Sequence, residues 1–225
     1  MGNVLEAKGI YRDFQVGTET IKVLKNISFG VEKGSISILK GRSGSGKTTL
    51  INILGIIDNP TKGEVIIDGN EISKMKEQEK NNFRQNKIGY VFQAGALIPN
   101  MTVYENVELM LRLQKVPYKE RKRRVEESIE KVGLIKKINK FAEELSGGEL
   151  QRIGIARAIV HKPEIIIADE PTSALDYNTG TSIAKLFKRL VKNEGCTFII
   201  ATHDNKLLPI ADRVLNIMDG EIIDG

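Results

Sequence analysis

Cys196 is the only cysteine in the chain, so an internal disulfide is excluded, and no Cys/His spacing suits a metal site. It lies in the apolar run Cys196-Thr197-Phe198-Ile199-Ile200, where a thiol serves as a small buried hydrophobe. Long apolar runs are also missing, and none approaches the ~20 residues that span a bilayer. The opening Met1-Gly2-Asn3-Val4-Leu5-Glu6 lacks the charged-then-apolar layout of a secretory leader. Glu6 stands where an N-myristoylation signal needs Ser or Thr. Internal repeats and low-complexity linkers are absent. A soluble, cytoplasmic chain is the expectation.

What is present describes a globular domain. Hydrophobic residues make up 40% and charged residues 28% of 225 positions, ample for one core. A net charge of +5 permits contact with nucleic acid or an anionic surface without demanding it. The densest basic cluster, Lys119 with Arg121, Lys122, Arg123 and Arg124, opens a stretch where Val125, Ile129 and Val132 recur at helical spacing. Glu126, Glu127 and Glu130 follow at once. The cluster therefore reads as a solvated helix face, and no nucleic-acid partner is expected.

Strand signals occupy Ile21 to Leu24 and Ile27 to Val31, with turns expected at Gly9 and Gly34. Ser35 to Lys40 reads as a buried strand, Thr48 to Ile57 as a helix, and Glu64 to Ile67 and Ile88 to Phe92 as strands. From about residue 94 to 162 the pattern turns helical. After Pro163 strands return at Ile165 to Ala168, Thr197 to Ala201, Val214 to Met218 and Glu221 to Ile223. The expected fold is α/β, with a helical insertion at 94–162.

Gly41-Arg42-Ser43-Gly44-Ser45-Gly46-Lys47-Thr48 fits the spacing G-x-x-x-x-G-K-[ST] between a strand and a helix. Its glycines let successive backbone N–H groups turn inward as an anion nest, and the helix start adds its positive dipole end. Lys47 can reach the β and γ phosphates of a nucleotide, and the Thr48 hydroxyl is a hard oxygen ligand for Mg²⁺. Asp169-Glu170 ends the apolar run Ile165-Ile166-Ile167-Ala168, at the strand end where ligands sit in open α/β sheets. Asp169 is placed to hold Mg²⁺, directly or through water, and Glu170 to orient or deprotonate an attacking water. His203, after the next apolar strand, can donate to a γ-phosphate oxygen, whereas His161 before Pro163 reads as structural. Gln93 after Phe92 can contact Mg²⁺ or the attacking water while belonging to the helical insertion, as a hinge between the two.

Leu145-Ser146-Gly147-Gly148-Glu149 precedes a helical run, Leu150 to Val160. Locally it is a capped helix, with Ser146 at the N-cap and Glu149 three residues on. Two bare glycines before a helix also make an anion site, and a second phosphate grip makes sense if it serves another copy's nucleotide.

In this order the elements resemble the ATP-binding cassette ATPases over essentially the whole chain. They are Gly41 to Thr48, Gln93, LSGGE at 145–149, Asp169-Glu170, Ser173-Ala174-Leu175-Asp176 and His203. The resemblance implies a P-loop NTPase (RecA-like) core at 1–93 and 163–225 with an antiparallel β subdomain, and a helical subdomain at 94–162. It implies ATP and Mg²⁺ as cofactors, and a head-to-tail homodimer sandwiching two ATP. Tyr11, Gly41, Ser43, Gly44, Ser45, Gly46, Lys47, Thr48 and Thr49 would hold ATP from one protomer; Ser146, Gly147, Gly148 and Asp176 would act from the other. Tyr11 matches the aromatic that stacks on adenine, against the alternative of a core tyrosine. Thr48, Gln93 and Asp169 would be the metal ligands, and Glu170, His203, Gln93 and Lys47 the catalytic group.

Ile53-Leu54-Gly55, Asn59 to Glu64, Phe83-Arg84, Ile88 to Gln93 and Leu97 to Val107 look like the lipoprotein-release and macrolide-export subfamily. In that subfamily the cassette sits on the inner face of the membrane, bound to a transmembrane permease that can transmit mechanical work. Two departures stand out: Leu150 where relatives often carry Gln, and Gly95-Ala96 where they usually carry bulkier residues. DNA-repair and chromosome cassettes carry coiled coils between loop and signature; here about a hundred residues intervene without sustained heptads. Translation-factor cassettes come in pairs on one chain. A regulatory cassette that gates a membrane partner, as in cell division, fits the same residues.

Overall fold

The parallel sheet that carries the expected loops is built from strands buried on both faces. The computed structural model describes residues 2–224; Met1 and Gly225 of the expected domain lie outside the described residues. The chain opens with β1 (Asn3–Val16), β2 (Glu19–Glu32) and β3 (Ile36–Lys40), then α1 (Lys47–Leu54), β4 (Lys62–Ile67) and β5 (Asn70–Glu71). Next come α2 (Glu77–Lys87), β6 (Ile88–Val91), α3 (Val103–Leu113), α4 (Tyr118–Lys131) and α5 (Gly147–Ile159). The chain closes with β7 (Ile165–Asp169), α6 (Tyr177–Glu194), β8 (Thr197–Thr202), β9 (Arg213–Met218) and β10 (Glu221–Asp224).

Six strands form one sheet in the order β10-β9-β3-β8-β7-β6, and four form a second in the order β2-β1-β4-β5. The β3–β8, β3–β9, β6–β7 and β7–β8 pairs are parallel; β9–β10 and the second sheet are antiparallel. Alternation within β7 and β8 divides the core. Ile166, Ala168, Phe198 and Ile200 face a cluster with α3, α5 and α6. Ile165, Ile167, Ile199 and Ala201 face a cluster with α1 and the antiparallel sheet. Because both faces are covered, these strands read as unbroken apolar runs.

Several boundaries differ from the sequence reading. Gly9 is no turn: it lies inside β1 at φ +57, where the register with β2 shifts between Ala7 and Ile10. The two short strands expected before residue 32 are one 14-residue strand, β2, paired with an equally long β1. A bulge lets the ribbon bend while continuing, which periodicity reads as a break. Helix α1 stops at Leu54 rather than Ile57, because Ile56 takes φ +61 and a Cβ on Gly55 would lie 2.6 Å from Tyr90.

Between β6 and β7 the described residues form helices and turns, with one isolated bridge, Thr102 to Phe141. Val125 and Ile129 of α4 are fully buried, and the basic cluster pairs with carboxylates: Arg121 with Glu108, Arg123 with Glu127, Arg124 with Glu120. Helix α5 buries Gln151, Ile153, Gly154, Ile155, Ala156, Ala158 and Ile159, almost its whole circumference, as a helix wedged between sheet and helices must. Its start is fixed as the sequence suggests. Ser146 is the N-cap, and its N–H donates to the Glu149 carboxylate at 3.1 Å.

Lys137 hydrogen-bonds the same Glu149 carboxylate, and with the Ser146 N–H it lowers the pKa of Glu149 below the usual glutamate value. A depressed carboxyl pKa contributes stability that is present above the unfolded pKa and fades as pH falls through the folded one. Glu149→Gln is therefore expected to lose about 0.5–1 kcal/mol at neutral pH, a cap-sized effect. Denaturant unfolding of wild type and variant should show that gap closing below the ordinary carboxylate range; a gap independent of pH would contradict it.

Candidate functional site

Parallel pairing places the carboxyl ends of β3, β6, β7 and β8 along one sheet edge. Each end delivers an expected residue. β3 runs into Gly41 and the glycine loop, β6 into Gln93, β7 ends at Asp169, and β8 precedes His203. Ser43, Gly44, Gly46, Lys47, Thr48, Thr49, Gln93, Asp169, Glu170 and His203 together line one depression of about 490 Å³, joined by Val23 and Ser173.

The loop has the geometry of an anion cradle. Gly44 and Gly46 take φ +80 and φ +100, values open to glycine, and α1 begins at Lys47. Gly46 is further constrained, since a Cβ there would lie 2.8 Å from Leu24 of β2. The Lys47 ammonium, almost fully buried, donates to the carbonyls of Gly41 and Arg42 at 2.9 and 3.0 Å and lies 3.8 Å from Glu170 Oε1. Thr48 Oγ1 donates to Asp169 Oδ2 at 3.2 Å. Burial, above all, pushes the Asp169 pKa up; the Thr48 hydrogen bond opposes this, and the nearby Glu170 charge adds to it. A hydroxyl and a carboxylate held this close form the all-oxygen pair that Mg²⁺ prefers. The residues fit that ion.

Glu170 is the node of the site. It takes φ +44, an unusual backbone for a side chain with a Cβ, and its N–H donates to Ala201 O at 2.8 Å. Oε2 accepts from the Thr202 hydroxyl at 3.0 Å and from the His203 N–H at 3.4 Å, while Oε1 accepts from His203 Nδ1 at 2.8 Å. Gln93 Nε2 donates to Ser173 Oγ at 3.2 Å, and Ser173 Oγ donates to Glu170 O at 3.1 Å. A hydroxyl thus links the amide expected to sense nucleotide to the backbone of the expected base.

Not every expected residue joins this depression. Tyr11 is exposed and lines a neighbouring one with Asp13, Lys22, Lys25 and Lys62. Gly41 and Ser45 line another depression beside the loop, with Asn216 to Asp219. Ser146, Gly147, Gly148 and Asp176 line neither. Thr179 stands between two of them. A Cβ on Gly148 would lie 2.5 Å from the Thr179 side chain, and Asp176 caps α6 by accepting from Thr179 N at 3.0 Å. His161 is buried, with Nε2 donating to Ile88 O at 3.0 Å, the structural role expected of it.

Val23 and Thr202 are the site residues the sequence reading missed. Val23 comes from the antiparallel sheet, well before the glycine loop, and carries no local signal. Thr202 sits beside His203 at the end of an apolar strand, and that position was the available cue.

Comparisons with known proteins agree with this geometry. A family model described as ABC transporter matches residues 24–173. An ABC transporter ATP-binding protein of Thermotoga maritima is 42% identical over 222 residues, covering 99% of this chain and 94% of that one. The macrolide export ATP-binding/permease protein MacB of Mannheimia succiniciproducens is also 42% identical over 222 residues, covering 99% of this chain and 34% of its own length. Among solved structures, the dimeric post-hydrolysis state of the ATP-binding cassette MJ0796, bound to ADP and Pi, superposes with a TM-score of 0.90 at 38% identity. That likeness covers 98% of this chain and 97% of the other, and gives the P-loop NTPase type of α/β fold. Matched over most of its length by sequence and over nearly all of it by fold, the chain belongs to the ABC transporter family, among its ATP-hydrolysing cassettes.

Proposed function

We propose that two copies of this chain close head to tail around two ATP molecules and drive a separate transmembrane permease from the inner face of the membrane. One observation carries the reading: Ser146, Gly147, Gly148 and Asp176, at the starts of α5 and α6, all lie outside the phosphate depression of their own chain, with Thr179 close to both Gly148 and Asp176. A second phosphate grip that does not line its own protomer's depression suits the nucleotide of another. The MJ0796 cassette, solved as a dimer bound to ADP and Pi, supports the same arrangement. In this reading residues 1–93 and 163–225 form the nucleotide-binding core and 94–162 the subdomain that presents the signature.

Each side chain then has a task set by its geometry. The glycine-loop amides and Lys47 bind the β and γ phosphates, and Tyr11 stacks on adenine at the edge of the neighbouring depression. Thr48 and Asp169, with Gln93, would hold Mg²⁺, which would supply charge neutralisation on the phosphates. Glu170 accepts the proton of the attacking water. His203, through Nδ1, holds that carboxylate in place, and turning its ring toward the γ-phosphate frees Glu170 to meet water. Ser146 and the Gly147 and Gly148 amides close the site from the other copy.

The permease partner and export-type coupling rest on two supports. The matched MacB relative joins ATP-binding and permease in its name, and this chain spans 34% of it. Beside the Gln93 loop a depression of about 660 Å³ is lined by Ile57, Tyr90, Phe92, Met110, Leu113 and Arg84, of which Ile57, Phe92 and Leu113 are exposed. Apolar side chains left open to water in one groove suit a short helix of a partner. No helix among the described residues is long and apolar enough to cross a membrane.

Glu170→Gln should bind ATP normally, lose ~10²- to 10⁴-fold in turnover as expected for a positioned general base, and accumulate as a dimer with ATP. Light scattering that finds only monomer at saturating ATP would sink the sandwich. Lys47→Ala removes charge-assisted bonds to phosphate, and ATP affinity should fall about 10- to 100-fold. Ser146→Arg should leave monomer ATP binding intact yet abolish hydrolysis. Equilibrium binding and turnover measured side by side separate the two, and normal turnover in Ser146→Arg would contradict its assigned place.

A further inference from the structure

Gly95 and Leu150, both singled out in the sequence, meet in space. Gly95 is buried at φ +74, and a Cβ there would lie 2.4 Å from the carbonyl oxygen of Leu150. One turn further along α5 the fit is repeated, since a Cβ on Gly154 would lie 2.8 Å from Gly95 Cα. The loop backbone after Gln93 therefore rests directly on the backbone of α5, at a distance that only paired glycines allow.

Arg157 closes the joint. Its guanidinium donates through Nη2 to Gly95 O at 2.8 Å and through Nη1 to Ala96 O at 2.9 Å. A planar fork suits two successive carbonyls, and Ala96 takes φ +44 while accepting, a backbone uncommon for a residue with a Cβ. Burial, rather than a neighbouring charge, lowers the pKa of Arg157, so the carbonyls are the partners that compensate its desolvation. On the other side of Gln93, Gln151 Nε2 donates to Phe92 O at 3.3 Å. The Gln93 loop is thus tied to α5 before and after Gln93, while Gln93 itself points away to Ser173.

We propose that Arg157 is the positioning residue that fastens the Gln93 loop to α5, so that the loop and the Ser146-Gly147-Gly148 end of that helix shift as one body. This rests on the cassette reading and names the part that carries its signal. Gln93 meets the nucleotide of its own protomer, and Ser146-Gly147-Gly148 meets that of the other. A rigid joint between them makes each site report to its neighbour through the fixed geometry of a helix rather than through a flexible loop. The same loop contributes Phe92 and Ala96 to the apolar groove, so the joint moves the groove as well.

The test is hydrogen exchange of the segments around residues 93–97 and 146–152, with and without MgATP, alongside ATP binding and steady-state hydrolysis. In wild type both segments should respond to ATP together. In Arg157→Ala the first should still respond and the second should not. Its ATP affinity should stay within about twofold of wild type while kcat falls ~10- to 100-fold, the scale of an ångström misplacement. Arg157→Lys, which reaches one carbonyl, should recover part of kcat. Should Arg157→Ala fail to fold, Gly154→Ala provides the same test by pushing the loop off α5 with the guanidinium intact. The proposal is overturned if a folded Arg157→Ala matches wild type in kcat, or if both segments still respond to ATP. A wild type without ATP turnover sinks the cassette reading instead; the joint is then judged by exchange without nucleotide, which must quicken at 93–97 in Arg157→Ala.

Discussion

Parallel hydrogen bonding among β6, β7, β8 and β3 is the constraint on which the rest of the molecule depends. Parallel strands need crossovers, the crossovers cover both faces, and covered faces demand apolar side chains on both sides of each strand. The polar residues are thereby driven to the strand ends. All carboxyl ends of these strands share one edge, so four separate stretches of sequence deliver their polar residues to one depression. The site is a consequence of the sheet, and its distances are fixed by strand register rather than by any loop alone.

At that edge Glu170 links the pieces. Its backbone bonds to β8 and accepts from Ser173, and its carboxylate bonds to Thr202 and His203 and lies near Lys47. The strained φ at Glu170 is held by these surroundings, the usual circumstance in which such a backbone persists. A carboxylate held by a histidine and an ammonium is restrained until either group turns to phosphate. In the proposed mechanism that gives a physical route from nucleotide arrival to release of a base. Outside this depression, Thr179 stands close to Gly148 and donates its N–H to Asp176. One protomer therefore presents two polar edges, one built around a phosphate loop and one around a signature helix.

The parts of this arrangement that were legible in the sequence are those written in local chemistry. The glycine loop, the carboxylates after Ala168, the histidine after Thr202 and the helix at Ser146 each need particular residues within a few positions, and the structure has them where the motif spacing puts them. The long β1–β2 ribbon was not legible, because a bulge at Gly9 interrupts the period-two pattern without ending the strand. Val23 reaches the depression from another sheet, by a contact that no nearby residue announces. The Gly95–Gly154 joint was half visible. Gly95 stood out as unusual, but its reason is a backbone of α5 more than fifty positions away.

The central claim is that each ATP site is completed by a second copy, and mixing two inactive variants tests it most directly. Lys47→Ala carries an intact signature with a defective phosphate loop, and Ser146→Arg carries the reverse. In a head-to-tail dimer of one copy of each, the loop of the second variant faces the signature of the first, and one site is whole. Hydrolysis measured across mixing ratios should therefore rise from near zero for either variant alone to a maximum near equal amounts. A mixture as inactive as its parents at every ratio would contradict the composite site.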